Sequence, residues 1–255
     1  MAIELFNNGR HQCLAFTDLV AGDGVQANQF LIIDGSHEAL LDPGGDLTFT
    51  ALSMEIGKHI DVRNLDYLIA SHQDPDIIAS LSSWVSRTDA RIVCSKLWAR
   101  FLPHLLPGYM GQQVSSRVMA LQDGGGDIPL GDSIIKAVPA HFLHSVGNFQ
   151  FYDPVSKILF SGDMGASIVE EGADQPVENF EAHVPMMEGF HKRYMCSNKA
   201  CRLWANMVRG MDIDMIVPQH GRSFKGPEMI GKFLDWISTL ECGVDLLTQD
   251  NYRLP

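Results

Sequence analysis

No apolar run in this chain approaches the roughly 20 residues that a membrane-spanning helix needs. The longest, such as Ile158-Leu159-Phe160, stop far short, so no membrane segment is expected. The opening stretch, Met1-Ala2-Ile3-Glu4-Leu5, lacks a basic region followed by a long apolar one, so no secretory leader is expected. Cys-x-x-Cys is absent, and the five cysteines (Cys13, Cys94, Cys196, Cys201 and Cys242) are odd in number. That speaks against a disulfide framework and for reduced thiols in a cytoplasmic protein. Cys196 and Cys201 could both act as ligands, but neither has an obvious partner in sequence. Basic residues are scarce, leaving a net charge of −12, which excludes phosphate-backbone binding as a main activity and nucleic acid as a partner. No repeat, low-complexity tract or Pro/Ser-rich linker divides the 255 residues, and 45% hydrophobic content can fill a real core. A single domain over residues 1–255 is expected.

What the chain does have is a series of short apolar runs at residues 30–33, 39–41, 67–70, 91–94, 134–138, 149–152, 157–160 and 214–217. These read as strands. Near-helical apolar spacing separates some of them, at 47–60, with Asp46 as an N-cap, and at 78–85, 96–106, 199–211 and 228–240. Strands and helices mix along the whole length, so the class is α/β or α+β with both sheet faces covered. Gln122-Asp123-Gly124-Gly125-Gly126-Asp127 is flanked by acids and precedes no clear helix, so it reads as a turn and not a phosphate loop. Residues 165–189 carry Glu170, Glu171, Asp174, Glu178 and Glu181 with few periodic apolar positions. A lid near a site and a solvated surface loop are both open readings.

The chemistry concentrates in Ser71-His72-Gln73-Asp74-Pro75-Asp76-Ile77, just after the run Tyr67-Leu68-Ile69-Ala70. His72, Asp74 and Asp76 are spaced at i, i+2 and i+4. Side chains at i and i+2 of an extended segment point the same way, and Pro75 speaks against a regular helix here. A turn can thus bring His72 and Asp74 to one metal while Asp76 faces a second. The plain alternative is an Asp-rich loop with Asp76 capping a helix that begins near Ile77.

Three further residues raise the metal reading. His144 follows the run ending at Val138, Asp163 follows Ile158-Leu159-Phe160, and His220 follows Met215-Ile216-Val217. Ligands delivered from the ends of several strands converge on one point. Three carboxylates with three imidazoles suit iron or manganese better than a histidine-rich zinc site. A carboxylate such as Asp163 can bridge two ions, one oxygen to each.

On these residues the chain resembles the metallo-β-lactamase superfamily, and more closely the di-iron domain of flavodiiron proteins. That domain's motif, His-x-Glu-x-Asp, is matched by His72-x-Asp74-x-Asp76. Further matches are Phe142-Leu143-His144-Ser145, Phe160-Ser161-Gly162-Asp163 and Pro218-Gln219-His220-Gly221. The eighteen residues between His144 and Asp163 favour His144 over His141. The resemblance implies an αβ/βα sandwich. It implies two iron ions with a bridging oxo, hydroxo or peroxo species. The first iron would take His72, Asp74, His144 and one oxygen of Asp163. The second would take Asp76, His220 and the other oxygen of Asp163.

The chain departs from that motif in two places. Asp74 stands for a glutamate and is one methylene shorter. Ile77 stands for a histidine and cannot ligate, which leaves the second ion an open or water-filled position. His141 could substitute, or sit hydrogen-bonded beside the site. Tyr194 lies in a region that resembles one near the di-iron pocket, with ordinary helix packing as the alternative. His11, His37, His59, His104, His183 and His191 are read as surface or loop residues.

Flavodiiron reductases carry a flavodoxin-like domain after the di-iron domain, and here the sequence ends at Pro255 with no flavin phosphate loop, so no FMN is expected. Two ferrous ions alone can give oxygen only two electrons, which stops at the peroxo level. The architecture therefore resembles the stand-alone oxygen-binding di-iron proteins associated with bacterial chemotaxis. The resemblance implies a sensor of dioxygen, or of nitric oxide, that reports to a signalling partner. A homodimer could persist from the flavodiiron arrangement. Two other activities stay open: an oxygen or nitric oxide reductase fed by a separate flavoprotein or rubredoxin, and a zinc-dependent hydrolase using metal-bound hydroxide.

Overall fold

The short apolar runs pair into two sheets in a computed structural model that describes residues 2–20, 22–169 and 171–254. The first sheet holds β1 (Ala2–Asn7), β2 (His11–Phe16), β3 (Gln29–Asp34), β4 (His37–Leu41), β5 (Tyr67–Ile69), β6 (Arg91–Ser95) and β7 (Val118–Leu121), side by side in chain order. β1 to β4 run antiparallel, and β4 to β7 run parallel. Parallel neighbours need crossovers. These are supplied by α1 (Asp46–Ile56), α2 (Pro75–Ile78), α3 (Leu81–Val85) and α4 (Gly111–Arg117). The second sheet holds β8 (Gly126–Leu130), β9 (Ser133–Pro139), β10 (Phe149–Asp153), β11 (Ile158–Phe160), β12 (Met215–Val217) and β13 (Phe224–Lys225) in the order β13-β12-β11-β10-β9-β8. Only β11 and β12 are parallel, and α5 (Phe180–Tyr194) and α6 (Asn198–Val208) lie in the connection between them. α7 (Pro227–Thr239) follows β13.

Alternation along the strands assigns three apolar layers. Phe30, Ile32, Phe151, Phe160 and Val217 meet between the sheets, with the Phe30 and Phe160 rings 4.9 Å apart. Leu31, Leu40, Leu68 and Ile92 face the other way and pack on Phe49, Leu52 and Trp84. Leu159 and Ile216 pack on Trp204 and Phe233. The result is the αβ/βα sandwich expected from sequence.

Several local expectations are corrected. Residues 96–106 form turns and a 3-10 segment, Leu102–Leu105, because Pro103 cannot donate to a continuing helix. The helix expected at 78–85 splits into α2 and α3. Ser80 breaks it by donating its N–H and its hydroxyl to the Gly44 carbonyl. Asp46 is the first residue of α1 and not its cap. Gly45 holds the cap position, where a Cβ would lie 2.9 Å from the Pro75 carbonyl. The acidic stretch expected to be a loop is a helix from Phe180 onward, and Glu170 lies outside the described residues. Asn179 caps that helix, α5, by accepting from the Ala182 N–H at 3.0 Å.

Among the described residues, no helix is long and apolar enough to cross a membrane.

Candidate metal centre

The residues after β5, β11 and β12 meet at one end of the sandwich: β11 and β12 run parallel, and His72, after β5, comes within 3.5 Å of Asp163, after β11. His72 follows β5, Asp163 follows β11, and His220 follows β12. His144 comes from the loop between β9 and β10. Asp74 holds the N-cap position of α2 but makes no side-chain cap, so its carboxylate is free to face the site. Pro75 opens that helix, where its missing N–H is not needed. The expectation that Pro75 excludes a helix and that Asp76 caps one is thus corrected: Asp76 sits inside the first turn.

Asp163 stands at the centre. Its Oδ2 lies 2.7 Å from His144 Nε2 and 3.5 Å from His72 Nε2. Asp74 Oδ2 joins this group, 3.3 Å from His144 Nε2 and 3.7 Å from His72 Nε2. One ligand atom from each of these four residues lies within 4.8 Å of the others, a set that could hold an ion. The other oxygen of Asp163, Oδ1, lies 3.4 Å from His220 Nε2, which is itself 3.3 Å from Asp76 Oδ2. One carboxylate therefore faces two separate donor groups, one with each oxygen.

The electrostatics follow from this packing. Burial opposes charge on His144, but hydrogen bonds to Asp163 and Asp74 outweigh it and lift the imidazole to about 9. His220 is lifted to about 10, against burial, by Asp163 and Asp76. Burial also penalises the Asp163 carboxylate, yet the close His144 imidazole and the charges of His72 and His220 hold it well below the usual carboxylate range. His72 is lowered because burial dominates. His72 Nε2 and Asp163 Oδ1 are buried and have no hydrogen-bond partner. Buried polar atoms are almost always partnered. An orphaned imidazole nitrogen and an orphaned carboxylate oxygen in one site are what a cation would satisfy, so the donor set fits the metal that sequence suggested.

Surrounding groups fix the ligand orientations. Ser71 Oγ donates to Asp42 Oδ2 at 3.1 Å and so accepts from His72 Nδ1–H at 2.9 Å, which leaves His72 Nε2 free to face Asp163. His220 Nδ1–H donates to the Gln26 carbonyl at 2.6 Å, with the same consequence. Phe190 and Tyr194 of α5 stack on each other at 4.7 Å, and both rings stand edge-on to His144. Tyr194 thus lies beside the site. His141 does not join the ligand set: its Nε2 donates to the Asp123 carbonyl at 2.8 Å and its ring packs on Phe149.

Sequence reasoning missed Asp42, although it too stands directly after an apolar strand. It also missed a second buried cluster, His11, Cys13 and Asp153. There Asp153 Oδ2 already accepts from His11, the Cys13 thiol and the Ser156 hydroxyl and N–H, in a hydrogen-bond network between the sheets. His11, His183 and His191, expected at the surface or in loops, are buried. Cys201 and Cys242 face each other with sulfurs 3.8 Å apart.

The model of the family described as ODP family beta lactamase matches residues 25–221. The chain belongs to the ODP family. Among solved structures, chemotaxis sensor ODP described as a peroxy diiron species is 38% identical, with TM-score 0.86 and coverage of 99% of both chains. The apo state of chemotaxis sensor ODP from T. denticola is also 38% identical, with TM-score 0.84 and the same coverage. A flavo di-iron protein variant from Thermotoga maritima shares the fold at TM-score 0.74 and 20% identity, over 93% of this chain and 60% of its own. An uncharacterized protein of Methanocaldococcus jannaschii is 27% identical over 216 residues, covering 84% of this chain and 53% of the relative. The chain spans about half the length of that curated relative.

Proposed function

We propose that this ODP family member holds two iron ions and binds dioxygen as a sensor that signals to a protein partner. The observation that carries the reading is the split of Asp163, whose two oxygens face two separate groups of donors. His72, Asp74, His144 and Asp163 Oδ2 would hold the first ion. Asp76, His220 and Asp163 Oδ1 would hold the second. Near-complete likeness to the chemotaxis sensor, at 38% identity, supports the sensing role. When bound, the ions would supply the electrons and open positions for taking up dioxygen, or nitric oxide as a second diatomic.

The chain's own residues have defined tasks in this reading. Ser71 and Gln26 hold His72 and His220 in the tautomers that present Nε2. Asp163, whose carboxyl lies well below the usual carboxylate range, stays anionic and can offer one oxygen to each donor group. Phe190 and Tyr194 stand edge-on to His144 and wall that side of the site. Residues 1–255 act in this reading as one functional unit, in the cytoplasm.

The test is metal analysis with an optical spectrum, taken anaerobically on the ferrous protein and again in air. Two irons per chain and a persistent oxygen-dependent band are expected. A band that vanishes while excess reductant and a flavoprotein drive steady oxygen consumption would identify a reductase instead. Two zincs with lactone or thioester hydrolysis would identify a hydrolase.

A further inference from the structure

Gln73 stands between two of the candidate ligands, His72 and Asp74, and its side-chain amide touches both ligand-bearing loops. Its Oε1 accepts from the Ser145 hydroxyl at 2.6 Å, and its Nε2 donates to Asp74 Oδ1 at 3.3 Å. Ser145 follows His144 directly and is only 5% exposed. The Ser145 carbonyl accepts from the Phe142 N–H at 2.8 Å and from the Asn148 N–H at 3.3 Å, so this residue is the pivot of the turn that carries His144. One amide therefore joins two loops that lie 72 residues apart in the chain.

Asp74 has need of such a partner. It holds the N-cap position of α2 without a side-chain bond to that helix. The terminal torsion of an aspartate is broad and nearly two-fold, so either oxygen is free to turn toward the centre. In the structure the two oxygens are not equivalent. Oδ1 meets the Gln73 amide, while Oδ2 lies 3.3 Å from His144 Nε2 and 3.7 Å from His72 Nε2. An amide is planar, so anchoring its Oε1 on a buried hydroxyl also fixes the direction of its Nε2–H groups. Gln73 is itself exposed, so apolar packing does not place its side chain.

We propose that Gln73 is a positioning residue of the metal centre. Its amide clasps the His144 turn to residues 72–76 and turns Asp74 so that Oδ2 faces the first ion. The ion rests on the two-iron reading; the clasp between the loops does not. A single hydrogen bond at an exposed glutamine is worth little, because water competes for both partners. Here the Ser145 bond, the planar amide and the Asp74 bond form one continuous chain, so losing the amide releases both loops at once. The effect falls on Asp74, whose side chain is one methylene shorter than the glutamate of the motif and whose orientation therefore counts for more.

The test compares Gln73→Met, Ser145→Ala and the double variant with the parent. Gln73→Met keeps the length of the side chain, removes its amide and changes an exposed position, so the fold is retained. On the metal-free full chain, hydrogen exchange followed by peptide mass spectrometry is expected to show residues 142–148 opening severalfold more often in Gln73→Met. Unchanged exchange there overturns the proposal, whatever the metal affinity. Iron(II) affinity, from anaerobic competition against a chromophoric chelator, is expected to fall roughly tenfold in Gln73→Met. The double variant is expected to bind no more weakly than Gln73→Met alone, because both side chains act through one amide. Parent-like affinity in Gln73→Met overturns the positioning role, and so do losses that simply add in the double variant. A parent chain that binds no iron counts against the two-iron reading, and the exchange measurement then decides the clasp by itself.

Discussion

Asp42 and Ser71 are joined twice: Asp42 Oδ1 accepts from the Ser71 N–H at 2.8 Å, and Oδ2 accepts from its hydroxyl at 3.1 Å. The carboxylate thereby sets the hydroxyl that in turn sets His72. Asp42→Ala should free Ser71 to donate to His72, disfavouring the tautomer that presents Nε2. Metal affinity should fall about 10- to 100-fold, the usual effect of losing such a partner. Competition against a chromophoric chelator measures this. Parent-like affinity in the variant would mean that the fold alone orients His72.

Asp163→Asn leaves one oxygen where two are needed and replaces an anion with an amide. The variant should retain at most one iron per chain by elemental analysis. In the metal-free protein, His144 should lose most of its rise to about 9, because Asp163 is its strongest hydrogen-bond partner. A histidine NMR titration follows that shift. Full retention of both ions would refute the bridging role.

Ile77 is fully buried and packs with the core beneath the first sheet, and its carbonyl accepts from the Gly44 N–H. Ile77→His therefore removes packing as well as adding a donor. The metal-free variant should be less stable by about 1–3 kcal/mol, the penalty for a buried unpartnered polar group. Iron loading should recover part of this if the new imidazole reaches the second ion, and the oxygen-dependent optical change should then have a different lifetime. An unchanged lifetime would remove this position from the account.

His191 is buried as a neutral imidazole: Nδ1–H donates to the Met187 carbonyl, and Nε2 accepts from the Gly165 N–H. Burial lowers its pKa to about 4 from the ordinary 6.5. The unfolded chain takes up a proton below about 6.5 while the folded chain does not until about 4, so stability must fall with pH across that window. The loss from this residue is on the order of 3 kcal/mol. Urea unfolding at several pH values should show it, and His191→Gln should flatten the slope. An unchanged slope would mean that other groups dominate acid unfolding.

Eight strands were legible because they are short apolar runs between polar stretches, and each recurs within two residues of its observed ends, whereas β1, β2, β7, β8 and β13 were not foreseen. α5 was not legible. Its buried residues Phe180, His183, Met187 and His191 do keep helical spacing. But two of the four are histidines, Pro185 interrupts the run, and Glu178 and Glu181 mark its start as solvated. The periodicity is visible only once those histidines are known to be buried. That helix brings Phe190 and Tyr194 to His144; the resemblance had pointed to Tyr194, and Phe190 was hidden with the helix.

By itself the sequence determined which side chains are the candidates for a metal centre. His72, Asp74, Asp76, His144, Asp163 and His220 each stand just beyond an apolar run, and strand ends at one edge of a sandwich must converge. The resemblance implied a division of these residues between two groups, and only the tertiary structure supplied the distances that set one oxygen of Asp163 toward each. It also decided that Asp42 and Gln26 orient the imidazoles, and that Phe190 and Tyr194 stand beside His144. Each of those relations joins residues far apart in the chain. Their geometry depends on sheet order, crossover direction and the packing of α5 and α6, none of which a local pattern of residues encodes.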